Sequence, residues 1–340
     1  MASTPSADPE NRDAAVAWRV LSVRGLVVEI PTRAGVVRPV DGVSFDIAAG
    51  EILGVVGESG AGKSMTGAAV IGLIDPPGRI AGGAVLLDGA RIDDLGSEAL
   101  RRLRGKRIGM IFQDPLTALN PLLRIGDQLT ETILTHLRVS PAEARARAVA
   151  ALAEVGVPGA AQRIDSYPHA FSGGMRQRVV IALALAAEPD LVIADEPTTA
   201  LDVSVQAQIT ALLRRLCRQR GAAVMLITHD MGVIAETADR VAVLYAGRLA
   251  EIGPVRGVIA TPRHPYTAGL MAATPSATGP GARLRQIPGA MPRLDAIPQG
   301  CAFHPRCPHV MARCKTEAPP PFPTEGGAAA CWLLAPQVAR

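Results

Sequence analysis

The chain has 340 residues, 48% of them hydrophobic, and a formal net charge of +4. That is long enough to bury a large core and too apolar for a disordered chain. The small Arg excess is spread along the sequence, which excludes a concentrated nucleic-acid-binding tail. Residues 1–18 are polar, contain Pro5 and Pro9, and lack the apolar centre of a signal peptide, so a flexible tail is expected there. From Glu51 onward, short apolar runs alternate with helical patterns. "EILGVVG" (Glu51 to Gly57), "LVIAD" (Leu191 to Asp195) and "AVMLITHD" (Ala223 to Asp230) read as buried strands of a mostly parallel sheet. Between about residues 115 and 170 the pattern is helical, with "PAEARARAVAALAEVG" stopping at Gly156, and a helical subdomain is expected. "DVSVQAQITALLRRLCRQRG" sets Val205, Ile209, Leu212, Leu213 and Leu216 on one face and ends at Gly221, a natural C-cap. Past Thr261, proline and glycine become frequent and periodicity fades, so residues 19–260 are expected as the main domain and 261–340 as a separate extension. The alternation implies an α/β layer fold. The longest apolar runs, such as Val179 to Ala187, fall short of the roughly 20 residues a membrane span needs.

"GESGAGKS", comprising Gly57, Glu58, Ser59, Gly60, Ala61, Gly62, Lys63 and Ser64, fits the P-loop pattern and stands between a strand and a helix, as that pattern requires. Its backbone N–H groups and the helix N-terminus suit phosphate, Lys63 suits the β- and γ-phosphates, and the Ser64 hydroxyl suits Mg²⁺. A plain glycine-rich turn would not require Lys and Ser at these positions. "LVIADEP" delivers two carboxylates at the C-terminal end of a strand, the edge where open α/β sheets bind ligands. Asp195 suits the Mg²⁺ shell. Glu196, aimed elsewhere by strand alternation, suits a general base for water. These residues define a nucleotide hydrolase or a phosphotransferase.

The remaining motifs carry a family resemblance. "FSGGMRQR" (Phe171 to Arg178) resembles the LSGGQ signature of ABC ATPases, with Phe171 and Met175 as departures. "IFQDPLTALNP" (Ile111 to Pro121) resembles their glutamine loop, "DEPTTALD" (Asp195 to Asp202) their Walker B and D-loop run, and "ITHD" (Ile227 to Asp230) their switch histidine. "MIFQDPLTALNP", "SGGMRQRVVIALAL" and "RHPYTAGL" are similar to the ATP-binding subunits of oligopeptide and dipeptide importers. The resemblance implies an ABC ATPase fold with an N-terminal antiparallel β part, a helical subdomain and a small Cys-containing extension. It implies an ATP-hydrolysing subunit that powers uptake of peptides, with glutathione or nickel as other cargoes of related importers. Gln113 and His229 would join Glu196 in catalysis, and Gln113 would also meet Mg²⁺. Ser172, Gly173, Gly174 and Asp202 would bind the nucleotide of a facing second ABC ATPase subunit, identical or paralogous. The transporter would include two membrane permease subunits, one of them received by the surface near Asp114 to Asn120, with an extracytoplasmic solute-binding protein beyond them, so the chain would sit at the cytoplasmic face of the cell membrane. A soluble ABC ATPase acting on nucleic acid is the competing reading, but there is neither a coiled-coil insertion nor a second nucleotide core, and no nucleic-acid partner is expected. A non-enzymatic metal-binding adaptor does not account for Asp195, Glu196 and His229.

Two features stand apart. Arg24 to Ser44 contains no aromatic residue to stack on adenine, leaving Ile30, Val37 or the Arg38 guanidinium for that contact. Cys301, Cys307, Cys314 and Cys331 are spaced C-x5-C-x6-C-x16-C, and four thiolates suit Zn²⁺ or an iron–sulfur cluster equally, with reduced thiols in a small core as the third reading. His304 and His309 could serve zinc. The resemblance favours a [4Fe–4S] cluster, and the absence of an export signal disfavours disulfides. Cys217 reads as a helix-face thiol.

Overall fold

The computed structural model describes residues 19–33, 35–199, 201–274 and 286–336; the expected N-terminal tail, 1–18, lies outside the described residues. The strands are β1 (Arg19–Thr32), β2 (Gly35–Ala48), β3 (Ile52–Val56), β4 (Arg79–Leu87), β5 (Ala90–Arg91), β6 (Ile108–Ile111), β7 (Leu191–Asp195), β8 (Ala223–Ile227), β9 (Arg240–Tyr245), β10 (Arg248–Pro254), β11 (Phe322–Thr324) and β12 (Gly327–Ala329). They form two sheets. The first, in the order β2-β1-β4-β5, is antiparallel throughout. The second runs β11-β12-β10-β9-β3-β8-β7-β6. Within it, β9, β3, β8, β7 and β6 are parallel, while β10, β12 and β11 complete one edge antiparallel.

Every residue of β3, β7 and β8 is buried, because helices and the first sheet cover both faces; that is why these strands read as continuous apolar runs. One core layer lies between the two sheets, joining Leu21, Val23, Val28 and Ile47 to Val55, Ile193 and Ile227. The other lies under the helices. It runs from Ile125, Leu129 and Leu152 through Val179, Ile181 and Leu216 to Tyr266 and Phe303. The helix Pro141–Glu154 opens with Ser140, whose hydroxyl accepts the Glu143 N–H at 3.2 Å, and it buries Ala144, Ala148 and Leu152. Helix Val203–Arg220 buries Ile209, Leu212, Leu213 and Leu216, and Gly221 terminates it in the left-handed conformation at φ 67°.

Described residues of the stretch after Thr261 pair with and pack on the preceding domain. Ala329 pairs with Glu251 and Ala328 with Ile252, so the hairpin β11–β12 extends the main sheet beyond β10. Phe303 and Ala302 are buried in the helical-side core. The order of the parallel strands has one consequence for function. The C-terminal ends of β3, β8, β7 and β6 lie side by side, and the P-loop, His229, the Asp195–Glu196 pair and Gln113 follow those four ends.

Candidate active site

β3 is fully buried, and the chain leaves it through the loop 57–62 before the helix Lys63–Ile71 begins. Gly62 caps that helix at φ 99°, and a β-carbon there would meet the Pro39 carbonyl oxygen at 2.2 Å, so only glycine fits. Lys63 Nζ donates to the Gly57 and Glu58 carbonyl oxygens at 2.9 and 3.2 Å, which folds the ammonium back over the loop. Burial lowers its pKa, with the nearby Glu196 and Asp195 charges opposing the shift. The Ser64 hydroxyl donates to Asp195 Oδ1 at 2.9 Å, joining the two side chains the sequence assigns to the metal. Burial pushes the Asp195 carboxyl above its ordinary value and the Glu196 charge adds to this, against the opposing pull of the Ser64 bond and Lys63.

Glu196 lies one residue beyond β7 with φ 44°. Glu196 therefore takes its position from a turn of the backbone just outside the strand. Its N–H still donates to the Ile227 carbonyl at 2.9 Å, so the turn remains anchored to β8. Three groups converge on that carboxylate: Gln113 Nε2 donates at 3.2 Å, Thr199 Oγ1 at 2.8 Å and His229 Nδ1 at 3.3 Å. Partial burial raises the Glu196 pKa, but the bonds from Thr199 and His229 and the charges of His229 and Lys63 outweigh it, and the net shift is downward. The group is therefore ionised at neutral pH. Sequence reading missed Thr199. Its signal was the i+3 spacing from Glu196, in a turn closed by the Thr199 N–H to the Glu196 carbonyl at 3.1 Å.

The second glycine element is built differently. Ser172 is the N-cap of the helix Gly173–Leu185, its Oγ accepting the Met175 N–H at 3.4 Å. Gly174 lies against the helix Val203–Arg220, where an added β-carbon would come within 2.8 Å of a Val205 methyl, whereas at Gly173 the nearest atom, a Leu201 methyl, would be 4.0 Å away. Ser172 and Gly173 are exposed. Asp202 caps the neighbouring helix by accepting the Val205 N–H at 2.9 Å. Of the residues the sequence offers to an adenine ring, Ile30 and Val37 pair across β1 and β2, and the Arg38 guanidinium is held by Glu29 at 2.9 Å.

Cys301, Cys307, Cys314 and Cys331 line one cavity together with His304 and His309, and the Cys301 N–H donates to the Cys314 carbonyl at 2.8 Å. Burial pushes the Cys301 thiol up to about 11, its three cysteine neighbours adding to the shift. Among the described residues, however, no three Cys, His, Asp or Glu side chains are arranged to hold a metal ion. Cys217 is buried in its helix and pushed up to about 12 by that burial. Among the described residues, no helix is long and apolar enough to cross a membrane.

A P-loop, a strand-end carboxylate pair and a capped glycine helix on an eight-stranded mixed sheet define an ABC-type ATPase. Residues 40–199 match the ABC transporter family, and residues 250–314 match the oligopeptide/dipeptide transporter C-terminal region. The dipeptide transport ATP-binding protein DppD of Bacillus subtilis is 47% identical over 317 residues, 93% of this chain and 95% of the relative. The oligopeptide transport ATP-binding protein OppD of Salmonella typhimurium is 48% identical over 313 residues, 92% and 93% of the two chains. Among solved structures, the dimeric post-hydrolysis state of the ATP-binding cassette MJ0796 bound to ADP and Pi superposes with a TM-score of 0.63 at 28% identity, covering 70% of this chain and 99% of that one. The chain belongs to the ABC transporter ATP-binding proteins of the oligopeptide/dipeptide family.

Proposed function

We propose that the chain hydrolyses ATP to power import of di- or oligopeptides, with Glu196 as the base that activates water. The observation that carries the catalytic assignment is the convergence of Gln113, Thr199 and His229 on the Glu196 carboxylate. The carboxylate takes a proton from water as the water oxygen bonds to the γ-phosphorus, and the bond to the β-phosphate oxygen breaks to leave ADP. Thr199 and His229 hold the base in one orientation. Lys63 and the loop N–H groups bind the phosphates. Ser64, Asp195 and Gln113 would hold Mg²⁺, which when bound offsets the charge of the β- and γ-phosphates. Ser172 and Gly173, exposed at a helix N-terminus, suit the γ-phosphate of a nucleotide carried by a facing ABC ATPase subunit, with Asp202 at the same junction.

The cargo reading is supported by the match of residues 250–314 and by the peptide-transport relatives. Leu116 and Leu122, 61% and 82% exposed, flank Asn120 on the surface proposed to receive a permease subunit at the cytoplasmic face of the membrane, with a solute-binding protein on its far side. A cluster on the four cysteines rests on the resemblance of the sequence; the four share one cavity, but among the described residues they are not arranged around a metal ion. No catalytic step passes through them. Iron content and absorbance near ~400 nm in anaerobically purified protein test a [4Fe–4S] cluster, and zinc content tests the alternative.

Glu196→Gln is expected to bind ATP normally and lose at least about 100-fold in turnover, equivalent to roughly 2.7 kcal/mol of barrier. Near-normal turnover in that variant would refute the base. Lys63→Ala is expected to weaken ATP binding itself. In the reconstituted transporter, stimulation of ATPase by a peptide-loaded binding protein supports the cargo reading; a response to glutathione or nickel alone overturns it.

A further inference from the structure

The P-loop makes a set of contacts that the proposed chemistry does not use. Glu58, its second residue, is held by Arg306, which lies 248 residues further along the chain. The guanidinium meets the carboxylate in a two-pronged fork, Nη1 to Oε2 at 2.6 Å and Nη2 to Oε1 at 2.9 Å. The Arg306 side chain is only 6% exposed. Its remaining N–H groups are also taken: Nε donates to the Pro288 carbonyl at 2.8 Å, and the Tyr245 hydroxyl and Gly289 carbonyl each lie at 3.4 Å. A buried guanidinium with acceptors for all five donors is locked in place. Arg306 ends the one-turn helix His304–Arg306, between Cys301 and Cys307.

The backbone of Glu58 is held as well. Its N–H donates at 2.8 Å to the hydroxyl of Tyr266, a fully buried residue of "RHPYTAGL". Tyr266, Tyr245 and Phe303 pack with ring centroids 4.6 to 5.4 Å apart, which fixes that hydroxyl. The Glu58 N–H and the Gly57 carbonyl are the two ends of one planar peptide unit, and the Gly57 carbonyl is the acceptor that Lys63 Nζ uses at 2.9 Å. One end of the unit is thus gripped by Tyr266 and the other by Lys63.

We propose that Arg306 and Tyr266 are positioning residues for ATP binding, holding the Gly57–Glu58 peptide so that the P-loop presents its N–H groups and Lys63 to the phosphates. A glycine-rich loop is not stiff by itself, and here its rigidity is supplied by the extension. The inference rests on ATP occupying the P-loop, and the test separates the two. Equilibrium binding of Mg·ATP and steady-state ATPase are measured on the full-length chain. Arg306→Ala is expected to raise the ATP Kd and KM about tenfold while leaving kcat at saturation within about twofold, the pattern of lost binding shared by ground and transition states. Tyr266→Phe keeps the ring packing and removes only the acceptor. It is expected to raise Kd about threefold with an unchanged Tm, and it decides the matter if Arg306→Ala does not fold. A Tyr266→Phe chain binding ATP as the wild type does, or an Arg306→Ala chain with a lower Tm and an unaltered Kd, would overturn the positioning role. Failure of the wild-type chain to bind ATP would instead overturn the nucleotide site.

Discussion

His264 is 4% exposed, and its Nδ1 accepts the Tyr266 N–H at 3.0 Å, capping the helix Pro265–Ala273. That acceptor exists only on the neutral ring, and burial pulls its pKa from 6.5 to about 4. An unfolded chain protonates this histidine as pH falls through 6.5, whereas the folded chain resists until about 4. Stability is therefore undiminished above 6.5, is lost progressively down to about 4, and loses nothing further from this group below that. The gap, 6.5 minus about 4, corresponds to on the order of 3 kcal/mol. Chemical denaturation across this pH window should show that loss in the wild type, and His264→Asn, which keeps a cap acceptor without the titration, should flatten it. An identical pH slope in both proteins would remove His264 as the cause. The same residue scale shows what a sequence can and cannot announce. Lys63, Ser64 and Asp195 are legible because phosphate and metal chemistry restrict their types within short windows. Thr199, Tyr266 and Arg306 carry no such restriction; they act on Glu196 and Glu58 through contacts that only the folded chain creates.

Among the elements, those with one unbroken period were legible. Helix Val203–Arg220 presents Ile209, Leu212, Leu213 and Leu216 to the core as its spacing predicts, with Val205 of the same face only partly buried. Leu216 is fully buried, so Leu216→Ala should cost about 2 to 5 kcal/mol, read from the shift in a urea unfolding midpoint. A cost below about 1 kcal/mol would mean that the site collapses around the smaller side chain. The long hairpin of β1 and β2 was harder to read. Its pairing shifts register between Val23 and Leu26 and again near Val28, which throws the inward-facing residues out of simple alternation. β11 and β12 have three residues each, too few for any period to emerge, and their place is set by the pairing of Ala328 and Ala329 in β12 with the distant Ile252 and Glu251 of β10.

At the scale of the molecule, one chain gathers the P-loop, Glu196, Gln113 and His229 along a single sheet edge, while Ser172 and Gly173 stand exposed at a separate helix start. On the proposed reading, a productive site needs the glycine helix of a facing subunit. The ATPase rate per chain should then climb with protein concentration and level off once dimers saturate. A rate that stays constant down to nanomolar protein, with sedimentation showing monomers, would refute the shared site.

The edge of the main sheet also bears on biosynthesis. Because β12 and β11 cover β10 and come from residues 322–329, the strands that close this sheet leave the ribosome after the rest of it. Until they arrive, the nascent protein carries an open row of main-chain donors and acceptors along β10, the kind of surface that recruits other strands. Premature termination just upstream of Phe322 would make that transient state permanent.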